Sequence, residues 1–230
     1  MLFIKWKKPI QSFYVSVLMF RSFKYLYPYF PIVGLCLYLI IFMVAAGNYA
    51  GGSFNEPNAE SYSFFHNFLC DVMDPITKGG LYNPARGLAV VSHIVLSFAM
   101  ISFFYLLPEI FSNRGRNFYL TRYIGMMTMV IFVFMSTSYH DLVVTLTGVV
   151  GTFALIPFFV ELRDHPNNQL KQLAYTCFIL SIVVFFIFET KIGFYYLPFL
   201  QKITFIFDAV WVVWVSLIVL RKNQLMMKAV

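Results

Sequence analysis

The chain has 230 residues, of which 60% are hydrophobic, 20% are aromatic and only 12% are charged. Charged residues make up about a quarter of a typical soluble domain, so this composition excludes a water-soluble globular protein. The mean hydropathy of +0.75 excludes a disordered chain, and three cysteines are too few for a disulfide scaffold. The composition therefore indicates a helical protein that crosses a membrane several times.

Six apolar runs are long enough to cross a bilayer core of roughly 30 Å, which needs about 20 helical residues. We number them spans 1 to 6, and they cover residues 29–47, 87–107, 122–138, 142–160, 173–188 and 203–220. Their apolar residues are continuous and do not alternate with polar ones, which argues against a β-barrel. The sequence predicts an all-α fold, with a single membrane domain over residues 1–230 that forms a bundle of six transmembrane helices.

A shorter apolar stretch, residues 10–20, precedes span 1 and ends at Arg21 and Lys24. It is too short to cross a bilayer, so the pattern predicts an in-plane interfacial segment with aromatic side chains at headgroup depth. Residues 1–28 are therefore expected to form a cytoplasmic and interfacial N-terminal segment. Span 1 is expected to be an uncleaved signal anchor, because no signal-peptide cleavage pattern accompanies it.

The basic residues are distributed unevenly between the two sides of the spans. Thirteen of the seventeen Lys and Arg residues lie on one side, and the other four are Lys78, Arg86, Lys191 and Lys202. Basic residues favour the cytoplasmic side, so both termini are expected in the cytoplasm and residues 48–86 are expected to form an extracytoplasmic loop. This asymmetry accounts for most of the net charge of +7, and no nucleic-acid partner is expected.

The charge asymmetry makes a topology prediction that can be tested in cells. A reporter fused after Val230 is expected to be cytoplasmic, and a tag inserted between Glu56 and Glu60 is expected to be accessible from outside. Labelling of intact and permeabilised cells measures both positions. The opposite result at both positions would reverse the orientation of the bundle.

Polar side chains are predicted to gather at the extracytoplasmic ends of the spans. His93 and Asp208 lie inside spans 2 and 6, where an ionisable group is costly and usually faces a bundle interior or a water-filled cavity. At 1.5 Å per residue, both are expected roughly 8–9 Å below the outer surface. Four more polar residues lie at the same ends of spans 3 and 4, namely Ser136, Ser138, His140 and Asp141.

The extracytoplasmic loop contains a second group of candidate residues. Apolar residues occur at helical spacing over residues 61–74, which predicts a short amphipathic helix over the outer mouth of the bundle. This helix would bring His66, Asn67 and Asp71 to the mouth. The same pattern is equally consistent with an arrangement in which Asn67 and Asp71 face water or cap neighbouring helices. The nine candidate pocket residues are His66, Asn67, Asp71, His93, Ser136, Ser138, His140, Asp141 and Asp208. We expect Asp208 to bond one of the two span histidines, Ser136, Ser138 or Asn67, because a buried carboxylate needs a partner.

A motif in the loop resembles a known family. Its residues are Gly51-Gly52, Asn55, Tyr62-Ser63-Phe64, Asn67-Phe68-Leu69-Cys70-Asp71 and Asn83-Pro84. With the six-span layout and His140, the motif resembles an uncharacterised bacterial multi-pass family, domain of unknown function nine-nine-eight. Many of its members have Ser-Asp-Leu where this chain has Cys70-Asp71-Val72. The resemblance implies a six-helix protein of the bacterial cytoplasmic (inner) membrane and implies no particular activity.

Two classes of function fit these residues. The first is a non-catalytic lipid-binding or assembly subunit, with membrane lipids and membrane proteins as partners and an outward-facing polar pocket that holds a lipid or amphiphile. The second is a membrane-embedded hydrolase or transferase that acts on a lipid or lipid-linked substrate. A transporter is disfavoured, because transporter sites usually lie at the membrane midplane between repeated halves.

The enzyme hypothesis has a metal-dependent form and a metal-free form. A zinc ion would need three protein ligands, for which His93, His140 and Asp208 are the candidates. The composition is similar to that of alkaline-ceramidase-like membrane hydrolases, but span 6 lacks their paired histidines. Without a metal, His140 and an aspartate would activate Ser136 or Ser138. A b-type haem between His93 and His140 is a further alternative, and no cofactor is firmly implied.

Overall fold

The computed structural model describes residues 26–228, apart from the side chain of Met227. Helices α1 to α6 follow one another along this part of the chain and cover Tyr29–Gly47, Arg86–Leu106, Arg116–Phe132, His140–Leu162, Asn168–Thr190 and Leu197–Lys228. Each helix, alone or with an adjoining 3-10 turn, is long and apolar enough to span a membrane. The chain is therefore an all-helical, multi-pass membrane protein. The predicted in-plane segment, residues 10–20, lies outside the described residues.

Three helices begin earlier than the apolar runs indicated. α3 begins at Arg116 and not near residue 122, α5 begins at Asn168 and not near residue 173, and α6 begins at Leu197 and not near residue 203. The extra turns contain Lys171 and Lys202, which were expected to lie between spans because they are charged. A helix satisfies its backbone hydrogen bonds internally, so it continues through polar positions once it has formed. The longer α6 changes the depth assigned to residues within it.

The described chain begins and ends at the same end of the bundle, here called the terminal end. Residues 48–85 cover the opposite end, here called the loop end. The main apolar core lies near the terminal end, where α2 to α6 meet; its most deeply buried side chains include Leu106, Phe158, Leu162, Leu170, Val215 and Val219. This packing closes the terminal end of the bundle.

Helices α1 and α2 pack closely along their length. Gly34 permits this approach, because a Cβ atom added there would lie 2.5 Å from the Ala99 Cβ atom. Small residues commonly allow such close contacts between transmembrane helices. α5 differs from its neighbours, since its buried residues are only Leu170, Ala174 and Cys177, all in the half nearer the terminal end. Its other half is held less tightly against the bundle.

The loop at residues 48–85 does not contain the predicted amphipathic helix. Residues 61–74 form turns and a single 3-10 turn, Asp71–Met73. The helix prediction is wrong because polar side chains bind the local backbone: the Asn67 side chain accepts a hydrogen bond from the Ser63 N–H at 2.8 Å, and Asp71 accepts one from the Phe68 N–H at 2.9 Å. Such local bonds compete with helical ones.

The apolar residues of the loop nevertheless pack against the bundle. Val72 and Met73 are buried beside Ala45 of α1 and Ala89 of α2. The loop therefore lies directly on the helices, chiefly on α1, α2 and α6. Its position matches the expected cover over the bundle, although its secondary structure does not.

Candidate functional site

Asn67 is the centre of a buried hydrogen-bond network under the loop, and its side chain is fully buried. Besides accepting from Ser63, it donates to the Gly52 carbonyl at 2.7 Å and to the Asp71 carboxylate at 3.0 Å. Asp71 is buried as well, with Lys78 Nζ 3.9 Å from its second oxygen. Burial raises the pKa of Asp71, against the lowering effect of the bonds from Asn67 and Phe68. The network fixes the shape of the loop from within.

Lys202 and Gln201 at the start of α6 hold this network onto the bundle. The buried Lys202 ammonium donates to the carbonyl oxygen of Asn67, and also to that of Pro198 at 3.1 Å. The Gln201 side-chain oxygen accepts from the Leu69 N–H at 3.0 Å. Sequence reasoning missed both residues, because Lys202 was counted only as a charge outside span 6. Its position inside an apolar helical run was the available signal for a buried lysine.

A cavity of about 1140 Å³ lies between α2, α3, α4, α5 and α6. Its walls are mostly apolar side chains, among them Met100, Met129, Phe132, Phe158, Phe178 and Phe185. At the loop end its lining includes six ionisable residues, here called the mouth: Asp71, Asp74, Lys78, His140, Asp141 and Lys191. Most of the cavity wall is therefore apolar, and six of its seven acidic or basic side chains lie at the mouth, with Asp208 as the exception.

Four of the nine candidate pocket residues line this cavity, and they are Asp71, His140, Asp141 and Asp208. The other five do not, and they are His66, Asn67, His93, Ser136 and Ser138. The nine residues therefore do not converge on one pocket. Asn67 supports the loop beside the mouth, and His66 pairs with the Glu56 carboxylate at 3.1 Å.

His93 is buried between α2 and the end of α3. Its Nε2 donates to the Phe132 carbonyl at 2.8 Å, and its ring packs against the Phe132 ring with a centroid distance of 4.6 Å. Phe132 ends α3 and is followed by the 3-10 turn Val133–Ser136, and its carbonyl oxygen accepts this bond from the neighbouring helix. His93 therefore joins two helices and does not face the cavity, contrary to the expected shared pocket.

His140 and Asp141 begin α4 and form a pair at the mouth. His140 Nδ1 donates to the Asp141 carboxylate at 2.9 Å, and the Asp141 side chain is 82% exposed. Within residues 26–228, neither Ser136 nor Ser138 hydrogen-bonds His140, and Ser138 is exposed. The structure therefore does not assemble the serine–histidine pair that the metal-free enzyme hypothesis requires.

Asp208 lies further from the start of its helix than the apolar run indicated. It is eleven residues beyond Leu197, the first residue of α6, which places it about 16 Å along the helix at 1.5 Å per residue. Its neighbour is the Cys177 thiol of α5, so the predicted partnership of Asp208 with His93, His140, Ser136, Ser138 or Asn67 is wrong.

The proposed zinc ligands are not arranged as a set. His93 bonds a carbonyl, His140 lies at the mouth, and Asp208 lies far below it. Across the described residues, no group of three or more His, Cys, Asp or Glu side chains is placed to hold a metal ion. This geometry gives no support to the zinc or haem alternatives at these positions.

Comparison of the chain with protein-family models, curated proteins and solved structures gave no match. The class of protein is therefore defined by its own fold and cavity: a six-helix membrane protein with a cavity that is charged at one end. The resemblance to the uncharacterised bacterial family stays a prediction.

Proposed function

We propose that the protein binds a membrane amphiphile in this cavity as a non-catalytic subunit. The observation that carries the proposal is the division of the cavity into a long apolar part and a charged mouth. An amphiphile has the matching division, with an apolar chain and a polar headgroup. The volume of about 1140 Å³ lies just above the range of roughly 300–1,000 Å³ typical of small-molecule sites.

The packing of α5 supports a route from the bilayer into the cavity. Residues 178–190 of α5 include no buried side chain, yet Phe178, Phe185 and Phe188 line the cavity. Near the mouth, α4 and α5 are joined by the Thr145 hydroxyl, which donates to the Glu189 carboxylate at 2.6 Å. A chain that enters between these helices would pass from lipid to an apolar wall without crossing water, which keeps its transfer inexpensive.

The location and partners belong to the same proposal. The excess of basic residues on one side and the family resemblance both favour the bacterial cytoplasmic membrane, with the loop end outside and the termini in the cytoplasm. Partner membrane proteins would receive the amphiphile from the cavity or assemble around it. The enzyme alternative lacks the nucleophile–base pair at the residues proposed for it.

A cavity-filling variant tests the proposed function. Thr152→Trp puts a large side chain into the cavity lining, and we expect tightly bound lipid to fall about tenfold because its site is occupied, a loss of about 1.4 kcal/mol in binding. Lipid that survives detergent exchange is measured by native mass spectrometry. Val149→Trp is the matched control, since Val149 is on the same helix, is exposed and does not line the cavity. Equal lipid retention by wild type and both variants would contradict the proposal.

A further inference from the structure

The inner part of the cavity contains a cluster of polar side chains. Cys177 and Ser181 lie four residues apart on α5, and Thr204 and Asp208 lie four residues apart on α6. Residues at this spacing share one face of a helix, and all four line the cavity. Polar groups therefore meet across α5 and α6 at a depth of about 16 Å from the start of α6, well below the mouth.

Asp208 is the only Asp, Glu, Lys, Arg or His of the described cavity lining outside the mouth. Within residues 26–228, no Lys, Arg or His forms an ion pair with it. The two lysines of the mouth have other contacts, because Lys78 pairs with Asp74 at 2.8 Å and Lys191 lies 4.1 Å from the centre of the Phe188 ring. A carboxylate removed from water is costly unless a positive charge approaches it.

Aromatic rings surround this part of the cavity. Trp211 follows Asp208 by one helical turn, and Phe178 follows Cys177 directly. Phe158 packs edge-on against Trp211 with a centroid distance of 5.7 Å. The faces of aromatic rings attract cations, most strongly when water is excluded. Beyond these rings, the fully buried Val215 belongs to the core that closes the terminal end.

We infer that the inner part of the cavity is a binding site for hydrophobic organic cations. The Asp208 carboxylate would balance the positive charge, while Trp211, Phe158 and Phe178 would contact the apolar substituents. The ligand class comprises protonated or quaternary amines and phosphonium ions with bulky apolar groups. This site shares the cavity with the proposed amphiphile site, but it does not depend on a lipid being the natural ligand.

The probe is tetraphenylphosphonium, and its matched control is tetraphenylborate, an anion of nearly the same shape. We expect the full-length protein in neutral detergent to bind the phosphonium saturably in equilibrium dialysis, and to bind the borate at least about tenfold more weakly because Asp208 repels it. This comparison uses the wild-type protein, so it needs no variant to fold. Equal binding of the two ions, or no binding of the phosphonium, would overturn the inference.

Variants then assign the charge to Asp208. Asp208→Asn is expected to weaken phosphonium binding at least about tenfold, while Asp208→Glu retains most of it. Asp164→Asn is the control, because it removes an exposed carboxylate that does not line the cavity and is expected to leave binding unchanged. Unchanged binding by a folded Asp208→Asn would also overturn the inference. Lipid retention, measured in the same preparations, reports separately on the proposed amphiphile site.

Discussion

Arg122→Ala is expected to destabilise the protein by about 3–5 kcal/mol, the usual cost of breaking a buried ion pair. Arg122 donates to the Glu109 carboxylate at 2.8 Å, and both side chains are largely buried. Its guanidinium also lies over the rings of Tyr105 and Phe118, at 4.3 and 4.4 Å. The alanine variant would leave Glu109 without its buried partner and remove both ring contacts. Thermal unfolding in detergent, followed by tryptophan fluorescence, measures the loss.

Arg114→Ala is the matched control for this prediction. Arg114 binds the same carboxylate at 3.1 Å, but its side chain is 66% exposed. Exposed ion pairs contribute only about 0–1 kcal/mol, because water screens them and the side chains lose conformational freedom. A similar loss of stability in the two variants would show that the contribution of Arg122 to stability does not depend on its burial.

Asn67→Ala is expected to destabilise the loop by about 2–4 kcal/mol, because it removes three hydrogen bonds, each worth about 0.5–1.5 kcal/mol, and leaves one donor without a partner. The variant would remove the bonds to the Gly52 carbonyl and the Asp71 carboxylate, and it would leave the Ser63 N–H without its partner. The Gly52 carbonyl would keep only the bond from the Tyr49 hydroxyl at 3.1 Å. The loop should open locally and release the backbone around Lys78, whose side chain is already exposed. Trypsin cleavage after Lys78, measured against time, should therefore accelerate strongly while the helices stay folded.

Asn48→Ala is the control for the loop prediction. Asn48 is exposed, and its side chain makes one hydrogen bond, to the Val44 carbonyl at 2.7 Å. Substitutions at exposed positions of this kind usually change stability by no more than about 0.5 kcal/mol. Cleavage that is equally slow in wild type and both variants would show that Asn67 does not hold the loop closed.

The membrane helices could be predicted from sequence because their signal is strong and local. A run of about 20 apolar residues has few structural alternatives in a bilayer. The helix ends were less accurate, since Lys202 and Gln201 resemble loop residues until their contacts with Asn67 and Leu69 are known. Those contacts join residues more than 130 positions apart, and helical periodicity contains no information about them.

The candidate site shows the same limit. Asp208 was identified because a carboxylate in an apolar span is rare, but its depth depended on where α6 begins. His93 gave the same sequence signal and has a different role, since its bond to the Phe132 carbonyl joins two helices. An ionisable residue within an apolar span therefore indicates that its side chain has a polar partner. Whether the partner is a backbone carbonyl or a cavity depends on the rotation of each helix, which the six apolar runs leave undetermined.

The uneven burial of α5 has a consequence for the range of ligands that the protein can accept. Its three buried residues, Leu170, Ala174 and Cys177, anchor only the half nearer the terminal end. Tilting the other half outward would break the exposed hydrogen bond between Thr145 and Glu189, which is worth about 0.5–1.5 kcal/mol, and would expose apolar surface chiefly to lipid. Its free-energy cost is therefore small. The width of the cavity can therefore change at the mouth, whereas it is fixed at Cys177. Such a site selects ligands by the charge of the group that reaches Asp208. It tolerates wide variation in the size of the ligand groups that lie between Asp208 and the mouth.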